Sequence, residues 1–299
     1  LVVVAALVQQ AGLVGDVVVL HVDHLTRPES GLEGEFVAGL ADSLGLPVER
    51  LTIAPGDPGG SSPEAWLRER RYDALDAACH RLGLTAVVTA HTLDDQIETV
   101  LMRLFTGASG LALTGMRETS SRQTSAGVLT IQRPWLGISR REIEAIPGLF
   151  GVKPVHDPTN TDPTFRRNAV RHDLVPRLAE IFPGFEQPLL RAVELASRDA
   201  RTVDALAEEA WGRAVVIDGD RVRVERAFVR REPASVVSRV LRRAVLHLSD
   251  ADDRDVTFER VEAVRRAAHG RSGAQIELPG GVVARIDRDA IVLLQRGVR

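Results

Sequence analysis

Asp94, Asp95 and Glu98 crowd one turn of a helical pattern in the segment AHTLDDQIETVLMRL, with His91 just ahead of them. Residues three and four apart share a helix face, so Asp95, Glu98 and Met102 line one side, with Asp94 and Arg103 towards its rim. Carboxylates at this density do one of two things. At the head of a helix they accept hydrogen bonds from free amides and favour the helix dipole. As a pair beside a histidine they suit Mg²⁺ or a cationic amine. The spacing leaves both readings open.

In open α/β sheets, ligands bind outside the carboxyl ends of the strands. Three segments qualify: Asp23-His24 after the apolar run DVVVLHV, His91 to Glu98 after residues 86–90, and Arg133-Pro134-Trp135 after residues 127–133. Asp23 and His24 are also ordinary turn formers. Outside that rule lies HDPTNTDPTFRRNAVRHDLVP, residues 156–176. Asp157-Pro158, Asn160 and Asp162-Pro163 build a rigid loop by turn chemistry. The helix expected from Phe165 carries Arg166, Arg167, Asn168, Arg171, His172 and Arg177, which suits contact with phosphates or is simply a solvated basic face.

The elements that must hold these residues follow from periodicity. Helical patterns cover residues 1–11, 31–44, 63–82, 94–105 and a stretch from Ser139 that Pro147-Gly148 should stop. Between them, apolar runs at 16–22, 48–53, 86–90 and 127–133 read as strands. The alternation predicts an α/β fold, a parallel sheet with helices on both faces. Residues 54–63 and 107–115 read as loops. Beyond Phe165 the texture is mainly helical, at 165–181, 187–212, 233–248 and 258–269. Hairpin-like stretches at 215–229 and 276–294 turn on Asp218-Gly219-Asp220 and Pro279-Gly280-Gly281. A boundary is expected near Gly184, giving domains 1–183 and 184–299, the second smaller, mainly helical and with β-hairpins.

Composition narrows the classes. The chain has 299 residues, 44% hydrophobic and 26% charged, with a net charge of −3, the balance of a globular protein. Such a charge does not announce a nucleic-acid binder, so any such role must rest on a local patch. Cys79 is the only cysteine, which excludes an intramolecular disulfide framework, a cysteine-rich zinc site and a cysteine-held cluster, and fits a reducing cytoplasm. The apolar opening Leu1–Val8 lacks a basic leader and is interrupted by Gln9 and Gln10, so neither a signal peptide nor a membrane span is expected.

Taken together, VLHVDHLTRPES at 19–30, WLRERRYDAL at 66–75, AHTLDDQIETVLMRLFTGAS at 90–109, LTGM at 113–116, RPWLGISRREIEA at 133–145 and DPTNTDPTFRRNAVRHDLVP at 157–176 resemble the tRNA(Ile)-lysidine synthases. These are members of the PP-loop ATP-pyrophosphatase group. Order and spacing agree over about residues 1–180, while 185–299 resemble the family loosely, as a helical tRNA-binding domain. The resemblance implies adenylation of C2 of the wobble cytidine in a CAU anticodon, followed by displacement of AMP by lysine. It implies ATP, Mg²⁺, L-lysine and tRNA(Ile) as cofactors and partners, a cytoplasmic location and a homodimer, with no role at a membrane.

By the same resemblance Asp95 and Glu98 serve the lysine amine, and Arg171 neutralises charge at the adenylated intermediate. Asp23, His24, His91, Asp94 and Arg103 lie near the nucleotide, and Arg166, Arg167, Asn168 and Arg171 meet tRNA. No metal ligand is assigned. Two other readings remain, a non-catalytic tRNA-binding protein and another PP-loop enzyme such as a tRNA thiolase. The lone Cys79 gives a thiolase no cysteine pair.

The family's Ser-Gly-Gly-x-Asp-Ser loop precedes its first helix and cradles phosphate with backbone N–H groups. This sequence opens on that helix, and Gly59-Gly60-Ser61-Ser62 lacks the aspartate and lies elsewhere. A trimmed or misplaced start is the expectation, ahead of a pseudoenzyme or a loop supplied by another polypeptide. Residues 1–299 alone are expected not to adenylate efficiently.

Overall fold

The computed structural model describes residues 1–12, 14–23, 30–53, 56–57, 63–106, 112–153, 165–249 and 255–296. His24 and the proline-pinned loop at 156–164 lie outside the described residues. The chain forms two compact units, residues 1–96 with 116–168, and residues 97–115 with 169–299. The division thus falls after Asn168.

In the first unit, α1 (Val2–Gln10) precedes β1 (Val19–Asp23), which pairs in parallel with β2 (Val48–Thr52), Val19 opposite Val48. The intervening α2 (Ser30–Ser43) makes this a crossover unit, with Ala6, Ala41 and Leu46 buried between the helices and strands. Next, α3 (Pro63–Leu82) leads to β3, only two residues long at Val87–Val88. It pairs in parallel with β5 (Val128–Gln132), Val87 opposite Ile131. The expected strands 86–90 and 127–133 are therefore both present and shorter. Tyr72, Leu75 and Cys79 of α3 bury against Val87, Leu129 and Ile131.

One strand has no counterpart in the sequence reading. β4 (Thr119–Gln123, TSSRQ) pairs antiparallel with β5, so the parallel pair carries an antiparallel edge. Its side chains are polar, which erases the alternation that marks a half-buried strand. Pro147 differs too. α5 (Arg140–Leu149) runs through Pro147, and Gly151, at φ 67°, ends the turn by donating to the Gly148 carbonyl.

α4 (Leu93–Phe105) begins in the first unit, and from Ile97 onward belongs to the second. There Ile97 and Leu101 pack on Val170, with Leu174, Leu178, Leu189 and Leu190 around them. A helical stretch comprises α6 (Arg166–Ala169), a π-helical turn at Val170–Leu174 and α7 (Val175–Ile181). The long α8 (Glu186–Ala214) follows.

The two expected hairpins join into one sheet. β6 (Val215–Asp218), β7 (Arg221–Glu225), β8 (Gln275–Glu277), β9 (Val282–Ile286) and β10 (Ala290–Gln295) form the antiparallel order β6-β7-β10-β9-β8. The joining contact is β7 to β10, Val224 opposite Ile291. Residues 226–229, the end of the first expected hairpin, lie instead in helix α9 (Arg226–Arg231). α10 (Ala234–Leu248) and α11 (Phe258–His269) complete the core, where Val237, Leu241 and Val245 bury with Val222, Ile286 and Leu293. No helix among the described residues is long and apolar enough to cross a membrane.

Candidate active site

The head of α4 is built by a capping box. Asp95 Oδ2 accepts from Thr92 N at 2.8 Å and Thr92 Oγ1 at 2.9 Å, while the Asp95 amide returns a long bond to Thr92 Oγ1 at 3.4 Å. The other oxygen, Oδ1, receives the Arg167 guanidinium at 2.9 Å and reaches Arg140 at 3.5 Å. Capping and cation binding are thus divided between two atoms of one carboxylate. Burial pushes the Asp95 carboxyl up, but the Thr92 amide and Arg167 outweigh it and hold the group below its ordinary value.

Asp94 has a different partner. Its Oδ2 accepts from the Arg140 amide at 2.6 Å, so it satisfies a free N–H in the first turn of α5. Ser139 and Glu142 form a second capping box there. Gln96 is buried and brackets Met116, donating to its carbonyl at 3.0 Å and accepting from its amide at 2.7 Å.

His91 follows β3 and is half-buried, with Nδ1 2.8 Å from Thr89 Oγ1. Burial lowers its pKa to about 4, and the charges of Arg133, Arg167 and Arg68 press the same way against the opposing pull of Asp95. The imidazole is therefore neutral near pH 7. Asp23 is buried at the carboxyl end of β1. Arg166 is exposed, Arg167 is half-buried, and Asn168, which the family resemblance groups with residues expected to meet tRNA, is buried at 7% exposure.

In the second unit, Glu98 and Arg171 form a bidentate pair, Nε to Oε1 at 2.7 Å and Nη2 to Oε2 at 3.0 Å. Their side chains are 3% and 19% exposed. Arg171 sits in the π-helical turn, where an extra residue per turn shifts side-chain direction relative to a regular α-helix. Arg103 donates to the Gly115 carbonyl, just after the 3-10 turn at Ala112–Thr114.

Sequence reading thus found the acids but not all their partners. Thr92 was legible in hindsight from its spacing to Asp95. Arg140 carried no signal, because its role depends on where α5 starts in space. Among the described residues no three His, Cys, Asp or Glu side chains cluster as metal ligands. Asp94, Asp95 and Glu98 take N–H and guanidinium donors instead.

These features, parallel β-α-β units with polar side chains gathered at strand ends and helix heads, define the class: a family profile described as "PP-loop domain" matches residues 1–178. A U34-tRNA thiolase from Methanococcus maripaludis shares the fold, with a TM-score of 0.52 and 13% identity over 66% of this chain and 68% of its own. Among curated relatives, the tRNA(Ile)-lysidine synthase of Thermobifida fusca is 34% identical over 262 residues, 87% of this chain and 76% of that protein. That of Streptomyces coelicolor is 35% identical, covering 92% and 76%. A Thermus thermophilus enzyme of the same name is 35% identical over 97% of this chain, which spans 54% of its length. The chain belongs to the tRNA(Ile)-lysidine synthase family.

Proposed function

We propose that this protein ligates lysine to C2 of the wobble cytidine, C34, of CAU-anticodon tRNA(Ile) in two steps. In the first, the C2 oxygen attacks the α-phosphorus of ATP and pyrophosphate leaves. In the second, the lysine ε-amine attacks C2, AMP departs with that oxygen, and the amine loses a proton. The observation that carries the reading is the acidic turn at the head of α4, in which Asp95 and Glu98 already bind guanidinium cations. A carboxylate that holds one organic cation away from bulk water has the chemistry to hold another, here the lysine ammonium.

The roles follow from that exchange. Arg171 leaves Glu98 to meet the adenylate, where a fixed guanidinium neutralises developing negative charge. Glu98 and Asp95 then receive the substrate amine. Asp23 and the neutral His91 lie at strand ends suited to the nucleotide, with His24, Asp94 and Arg103 grouped with them by family resemblance. Arg166, Arg167 and Asn168 serve the tRNA, Asn168 by supporting its neighbours from within. Residues 1–183 supply the catalytic domain and 184–299 the tRNA-binding one. Mg²⁺ enters as the ion that ATP phosphates carry, with no protein ligand assigned. A homodimer in the cytoplasm completes the proposal.

The test is incorporation of labelled lysine into a CAU-anticodon tRNA by the protein expressed from its whole reading frame. ATP-dependent incorporation is expected. Its absence, with tRNA binding intact, would overturn the reading.

A further inference from the structure

Arg133 is an energetic anomaly in the first unit. It is 6% exposed, yet its only side-chain bonds run from Nη1, to the Arg117 carbonyl at 3.0 Å and Ser120 Oγ at 2.8 Å. Its Nε–H is buried with no acceptor, and no carboxylate pairs with it among the described residues. Burying a cation against neutral acceptors alone carries a large desolvation cost, which proteins normally offset with a counter-charge.

Position supplies a second observation. Arg133 directly follows β5, whose register with β3 places it opposite Thr89, and Thr89 N donates to the Gln132 carbonyl. Two residues on from Thr89 is His91. Arg133 therefore stands at the carboxyl end of the one parallel pair in its sheet, where α/β folds bind ligands. In the same unit, Tyr72 has its ring under the Arg68 and Arg122 guanidinia, at 5.4 and 5.0 Å, and its buried hydroxyl has no hydrogen-bond partner.

We propose that Arg133, with His91 beside it, is a phosphate-binding subsite whose missing counter-ion is a phosphoryl group of the substrates. Arginine's planar fork suits two phosphate oxygens at once, and Nη1 is already held in place by Arg117 and Ser120. A neutral imidazole offers its remaining ring nitrogen as a hydrogen-bond donor without adding to the charge. The phosphate comes from the adenine nucleotide or from the RNA backbone, both sources resting on the proposed ligase reading.

The experiment compares wild type with Arg133→Met, which keeps the aliphatic bulk. AMP and a CAU anticodon stem-loop RNA are the binding probes, and inorganic phosphate the thermal-shift probe. Expected results are a loss of about tenfold or more in affinity for one probe, which identifies the source, and a phosphate-induced rise in melting temperature in wild type alone. A purely structural arginine predicts a lower melting temperature with affinities unchanged, and that result would overturn the proposal. If Arg133→Met does not fold, the Arg133 Nε–H resonance of wild type is followed during phosphate titration. A saturable shift supports the subsite and no shift overturns it. Phosphate binding through Arg133 without lysine ligation would leave the subsite standing and the ligase reading refuted.

Discussion

Arg171 grips Glu98 through two nitrogens on two oxygens, at 2.7 and 3.0 Å, with the carboxylate almost wholly buried. Removing one member of such a pair strands the other's charge. Glu98→Ala should destabilise the protein by about 3 kcal/mol, the low end for buried pairs because Arg171 keeps some solvent contact. Denaturant unfolding of Glu98→Ala, Arg171→Met and the double variant checks this. The double variant should be more stable than the sum of the single losses implies.

Thr92→Ala removes the hydroxyl that bonds Asp95 Oδ2 but leaves the Thr92 amide bond. A loss of about 1 kcal/mol is expected. Asp95→Asn keeps a capping oxygen and loses the charge facing Arg167, so it should cost little more stability than Thr92→Ala while reducing activity far more. Thermal melts set beside lysine incorporation separate the two oxygens' roles.

His91 has a folded pKa of about 4 against an ordinary 6.5. Between these values the unfolded chain binds the proton more readily, so this group's contribution is fully present above pH 6.5 and is lost as pH falls towards 4. Titration of the His91 ring by NMR should find the low midpoint, and His91→Gln should flatten the stability profile in that window. A midpoint near 6.5 would contradict the burial and charge seen around the ring.

Glu262 titrates lower still, to about 2, chiefly through its hydrogen bond to Arg265, with Arg266 assisting against the effect of burial. Its stabilisation is present above the unfolded value of 4.5 and disappears as pH falls through 2. Glu262→Gln should therefore weaken the protein at pH 7 and have little effect near pH 2, as measured by urea midpoints.

Arg226 is buried in the second unit and donates to the carbonyls of Ala268, Gly270 and Asp287 and to Ser272 Oγ. Arg226→Met leaves those acceptors bare and should cost on the order of 3 kcal/mol or more. Phosphate binding should be unaffected, unlike in the Arg133 variant, since the two arginines belong to different units.

Elements with clear end signals were legible from sequence: α3 begins at Pro63, where the first-turn proline put it. β4 was not, because TSSRQ buries no apolar stripe and exists as a strand only by pairing with β5. Nor was the joining of two hairpins, since the β7–β10 pairing is a long-range contact that no turn encodes. In the candidate site, local spacing singled out Asp95 and Glu98 as an acidic pair. Their arginine partners lie more than 40 residues away in sequence and are brought near only by the fold.

The most direct test of the ligase account follows pyrophosphate release and lysine incorporation together, with CAU-anticodon tRNA, in the protein expressed from its whole reading frame, as wild type and as Glu98→Gln. The account predicts both products from wild type, and from Glu98→Gln pyrophosphate release with lysine incorporation reduced by about a hundredfold or more. Undiminished lysine incorporation by Glu98→Gln would contradict it.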